Sequence, residues 1–139
     1  MTAKTDNQIQ VSMYRRIAYC LPPIAWAGLI FYMSSRSTMP IEPPFNGFDK
    51  LVHAVEYGTL SLLIARAIQP IGFFHISQTV WMIAVLASFT YGIIDEMHQV
   101  FVPNRSCDPF DAFFDLIGAA IPALVSISLR TKTRIKDSA

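Results

Sequence analysis

The sequence predicts an all-α integral membrane protein: a bundle of four transmembrane helices with both termini on the cytoplasmic side. Composition, four charge-poor runs and the placement of Lys and Arg lead there. Hydrophobic residues make up 53% of the 139 positions and charged residues 15%, against about 25% charged in an ordinary soluble domain. Mean hydropathy is +0.39. A soluble domain of this size needs more polar surface. The formal net charge of +1, with no basic stripe interleaved with aromatics, argues against a nucleic-acid partner. The length fits one domain, residues 1–139, with no internal repeat and no linker. Cys20 and Cys107 give neither a disulfide framework nor metal-ligand spacing.

The first span covers about 17–35. Ile17 to Ser35 holds no formal charge over 19 residues, which at about 1.5 Å per residue nears the thickness of a bilayer core. Arg15 and Arg16 precede it and Arg36 follows it. A secretory signal is the rival reading, but the run is long for an h-region and no A-x-A-like site closes it. Pro22 and Pro23 are expected to kink its first half. The second span, about 51–69, stops at Pro70. The third, about 76–94, lies within 24 residues free of Asp, Glu, Lys and Arg, after a turn near Gly72 to Ser77. The fourth, about 112–129, precedes a basic tail over 130–139. Its small residues Gly118, Ala119, Pro122 and Ala123 suit close helix contact. Short links favour an antiparallel arrangement.

Orientation follows from the positive-inside rule. With both termini cytoplasmic, eight Lys and Arg (Lys4, Arg15, Arg16, Arg66, Arg130, Lys132, Arg134, Lys136) lie inside and three (Arg36, Lys50, Arg105) outside. The reverse orientation inverts that ratio. The expected location is therefore a membrane, crossed several times, with both termini on its cytoplasmic side.

Eight of the ten acids then fall on the outer side: Glu42, Asp49, Glu56, Asp95, Glu96, Asp108, Asp111 and Asp115. Glu42 and Asp108 read as solvated loop acids. The others sit within helices. Asp49, His53 and Glu56 are spaced four and three apart, so they share one helix face with Tyr57 beside them. Asp95, His98 and Gln99 repeat the spacing at the end of the third span, next to Glu96, and Asp111 and Asp115 do so at the start of the fourth. An ionised group at bilayer depth costs a few kcal/mol or more unless paired or hydrated. Several at one level require a shared, water-accessible pocket. The bland alternatives are a snorkelling Lys50 and a His53 satisfied within a helix contact.

Two stretches carry a resemblance. "DKLVHAVEY" (Asp49 to Tyr57) and "YGIIDEMHQVFVPNRSCDPFDAFFDLIGA" (Tyr91 to Ala119) resemble the VanZ-like family of small bacterial membrane proteins. The family pattern is roughly DKxxHxxxY, DExxQxFxPxR and DxxxNxxG. It falls on Asp49, Lys50, His53 and Tyr57, then Asp95, Glu96, Gln99, Phe101, Pro103 and Arg105, then Asp111 and Gly118. Asp115 stands where the pattern has Asn, which removes an amide donor and leaves an acceptor or metal ligand. The resemblance implies a four-span protein of the bacterial cell envelope, with a founding member linked to teicoplanin tolerance. It implies no settled reaction.

Three function classes follow. An enzyme acting on an envelope lipid or lipid-linked glycan would use His53, with Glu56 or Asp49, as general base. Arg105 would hold a phosphate or carboxylate. Lys50, Tyr57, Gln99, Asp111 and Asp115 would bind, and Asp95, Glu96, Asp111 and Asp115 would hold a divalent cation such as Mg²⁺ or Ca²⁺. A non-catalytic protein would use the same set to recognise a lipid head group or a partner membrane protein. A carrier would need a path that four helices do not supply without a homo-oligomer.

Overall fold

The computed structural model describes residues 2–37, 44–69 and 76–137, with side chains described for Tyr14 and from Arg16 to Lys132 within those ranges. Glu42, Pro70 and the first part of the turn expected at 72–77 lie outside the described residues, as do the side chains of Lys4, Arg15, Arg134 and Lys136.

Four helices and no strand are formed among the described residues: α1 (Thr2–Ser34), α2 (Phe48–Ile68), α3 (Gln78–Gln99) and α4 (Pro109–Asp137). Each contains a stretch long and apolar enough to cross a membrane. The helices outrun the spans read from the sequence, because an apolar run marks where lipid can be met and not where helical dihedrals stop. α1 extends back through a polar segment that has no Gly or Pro to break it. α2 begins after Gly47, whose φ of 88° is the left-handed conformation that glycine accepts without strain. It ends at Gln69, extended as residues before proline prefer to be. The Ser77 hydroxyl caps α3, accepting from the Val80 amide at 3.2 Å. Pro109 opens α4, where its missing N–H costs nothing.

α2 is the central helix, packed on all three others and most extensively on α4. Glycines set that closest crossing. A Cβ on Gly118 would overlap the backbone of Ala54, and one on Gly58 would lie 2.9 Å from the Gly118 carbonyl oxygen. Ile30, Tyr57 and Leu60 form one apolar core cluster, and Ala65, Trp81, Ala84 and Ala123 form another. Leu21, Leu86 and Leu124 point outward while His53, Ser88, Asp95, Glu96 and Asp115 are buried. This distribution, apolar outside and polar inside, is the one a bilayer demands.

Candidate functional site

The start of α2, the end of α3 and the start of α4 meet at one end of the bundle, where the ionisable residues gather in two layers. The upper layer is organised by Lys50. Its Nζ lies 2.6 Å from Asp108 Oδ2, 2.6 Å from Asp111 Oδ1 and 2.9 Å from Asp49 Oδ2. A snorkelling Lys50 was the simpler expectation; instead the ammonium ties the first turns of α2 and α4 together. Asp108 also caps α4, its Oδ1 accepting from the Phe110 amide at 2.9 Å. The neighbouring Lys50 ammonium holds the Asp108 carboxyl below the ordinary carboxylate range.

The lower layer centres on His53. His53 Nδ1 is 2.8 Å from Asp115 Oδ1, one helix across, and 3.9 Å from Glu96 Oε1; Nε2 is 4.0 Å from Asp111 Oδ2. The sequence pairs His53 with Asp49 or Glu56. The spacing along α2 does bring His53 and Glu56 to one cavity wall, whereas Asp49 is held by Lys50 and the hydrogen-bond partner of His53 comes from α4. Asp115 is fully buried. It fits because α3 presents Gly92 there, where a Cβ would lie only 2.5 Å from Asp115 Oδ2. Glu96 Oε2 accepts from the Asp108 amide at 3.0 Å, joining the two layers.

Beside His53 lies a cavity of about 70 Å³, lined by Ser34, His53, Glu56, Asp95, Gln99 and Arg105 together with Ile30, Met33 and Val52. Gln99 Nε2 donates to Asp95 Oδ2 at 3.3 Å, and Tyr57 is fully buried. Asn104, with a left-handed φ of 62°, turns the α3–α4 connection. Arg105 then reaches the segment that follows α1, its Nε donating to the Arg36 carbonyl at 3.2 Å. An apolar groove of about 450 Å³ adjoins the cavity between α1 and α2. Ile30, Met33, Val52 and Glu56 line both spaces.

The eleven residues given a catalytic or binding role from the sequence thus come to this end of the bundle, though not as one set. His98 does not join them. It packs on Phe31 of α1, with Nε2 3.1 Å from Ser35 Oγ, because three residues beyond Asp95 the α3 surface already faces α1. Asp108 and Ser34 were missed. Asp108 carried a usable signal, an Asp-Pro step before an apolar run, which marks a helix cap. Ser34 carried none.

Of the His, Cys, Asp and Glu side chains described, His53, Glu96 and Asp115 form a group whose ligand atoms all lie within 4.8 Å of one another. Of the other two carboxylates expected to bind a cation, Asp111 Oδ1 is engaged by Lys50 and Asp95 Oδ2 by Gln99.

No curated protein and no solved structure matches the chain. The VanZ/LLP1 family model matches residues 2–130. That match runs from the first residues of α1 into α4 and takes in every residue of the site, and the chain accordingly belongs to the VanZ/LLP1 family.

Proposed function

We propose that this protein works in the bacterial cytoplasmic membrane with both termini in the cytoplasm, and that its polar end takes the head group of an envelope lipid or lipid-linked glycan at the outer face. The observation that carries this reading is the joining of a polar cavity to an apolar groove across shared residues. A head group and its chain need that pairing of environments. Arg105 supplies a planar, permanently charged fork for a phosphate, and His53 with Asp115 supplies a proton-carrying pair at the cavity wall. Catalysis at a head-group ester is the activity this set supports best. The phenotype in which it is to be read is teicoplanin tolerance, the trait linked to the founding VanZ-like protein.

Orientation is tested with an alkaline phosphatase reporter. Fusion after Asn104, in the α3–α4 connection, is expected to be active and fusion at the C terminus silent. The opposite pattern would place the polar end in the cytoplasm and remove the envelope reading. Head-group binding is tested by native mass spectrometry of protein released from membranes. Wild type is expected to retain a phosphate-bearing lipid, and both Arg105→Ala and Arg105→Lys to lose it about tenfold or more, since Lys lacks the planar fork. Equal retention by all three would overturn the role of Arg105. A binding protein without catalysis, the second reading, would keep lipid retention in His53→Gln and show no lipid product with wild type.

A further inference from the structure

The buried end of the bundle carries more negative charge than its own cations answer. Seven carboxylates (Asp49, Glu56, Asp95, Glu96, Asp108, Asp111, Asp115) gather at this end against four cationic groups even with His53 protonated: Lys50, Arg105, His53 and Arg36, whose exposed guanidinium turns to Tyr32. Lys50 is taken up by Asp49, Asp108 and Asp111. Below that layer, Glu96 and Asp115 are 3% and 0% exposed. Glu96 Oε1 and Asp115 Oδ2 have no hydrogen-bond partner. Glu96 Oε1 is aimed inward, at the His53 ring 3.9 Å away. A buried carboxylate oxygen without a donor is costly, and native structures answer it with a cation or a proton.

We propose that the polar end of the bundle binds one first-row divalent cation, Mn²⁺ or Zn²⁺, through Glu96, Asp115 and His53. The three donors lie within 4.8 Å of one another. Donors about 2.0–2.2 Å from a shared ion lie roughly 3.0–3.6 Å apart at octahedral or tetrahedral angles, so side-chain rotation of about 1 Å closes the set. One imidazole with two carboxylates suits Mn²⁺ or Zn²⁺, whereas Mg²⁺ and Ca²⁺ select oxygen alone. Of the three donors, His53 also lines the neighbouring cavity. The ion would take His53 through Nδ1, the atom that lies 2.8 Å from Asp115 Oδ1, so in the ion-bound form these two residues act as ligands and not as a proton-carrying pair. The ion also answers a charge conflict in the lipid reading, because an uncompensated acidic pocket repels a phosphate. The ion site stands without that reading, and its test contains no lipid substrate.

The experiment titrates MnCl₂ into the full-length protein in detergent, stripped with EDTA and dialysed. Calorimetry gives stoichiometry, and pulsed electron paramagnetic resonance reads nitrogen coupling to Mn²⁺. Wild type is expected to bind one Mn²⁺ per chain at micromolar concentration, with coupling to one imidazole nitrogen and little competition from equimolar Mg²⁺. His53→Gln should lose the nitrogen coupling while His98→Gln keeps it. Glu96→Gln should bind about 100-fold more weakly, since even outer-shell changes cost about 10–100-fold. Absence of binding up to about 1 mM in wild type, or binding without nitrogen coupling, would overturn the proposal. So would undiminished affinity in a folded Glu96→Gln. If Glu96→Gln does not fold, the wild-type spectrum and the His53→Gln and His98→Gln pair still decide.

Discussion

Gly118→Ala is expected to disrupt the bundle, with a loss of about 3 kcal/mol or more, at the upper end of the cost of overpacking. The reason is backbone geometry. The Cβ of any other residue at 118 would overlap the carbonyl oxygen, Cα and carbonyl carbon of Ala54. No rotamer change relieves a clash with a main chain, so α2 and α4 must separate. That crossing is the most extensive in the molecule, and His53 and Asp115 reach each other across it at 2.8 Å. A separation of one ångström would break that hydrogen bond. Gly28 is the internal control. A Cβ there meets nothing within 4 Å, so Gly28→Ala should be neutral or stabilising by up to about 1 kcal/mol, the helix-propensity difference. Denaturant unfolding in detergent, followed by circular dichroism, reads both. A Gly118→Ala protein with the same midpoint as Gly28→Ala would mean that the α2–α4 approach is looser than described.

The four helices were legible in the sequence because lipid imposes a simple rule: about twenty apolar residues per crossing. Their true ends were not, since polar helix continuing beyond the bilayer leaves no hydropathy signal, as α1 before Arg15 and α4 after Leu129 show. Part of the site was legible for a similar reason. Ionised side chains within apolar runs must be brought together, which placed His53, Asp95 and Asp115 at one level. Periodicity says which residues share a face of one helix; it does not say which neighbour that face meets. His53 therefore found Asp115 instead of Asp49, and His98 turned to Ser35, just past the end of α1. Gly118 was recognisable as a contact residue, but its partners Ala54 and Gly58 were not.

His53→Leu is expected to cost about 3–5 kcal/mol, the penalty for leaving one member of a buried charged pair without the other. Asp115 is fully buried, and its Oδ1 takes its hydrogen bond from His53 Nδ1. With leucine at 53, the carboxylate keeps the desolvation cost and loses the group that answered it. Asp115→Asn should cost less, about 1–2 kcal/mol, because the amide has the same shape above Gly92 and its oxygen still accepts the Nδ1 proton. The double variant should then be more stable than His53→Leu alone, since the second change removes the charge that the first one stranded. The coupling energy from the cycle should exceed about 1.5 kcal/mol, well above the few tenths found for independent sites. The measurement is made in EDTA, so that metal binding does not enter the balance. If the two losses simply add, His53 and Asp115 are not an interacting buried pair. Proton transfer at the cavity wall and cation binding through both residues would then lose their common foundation.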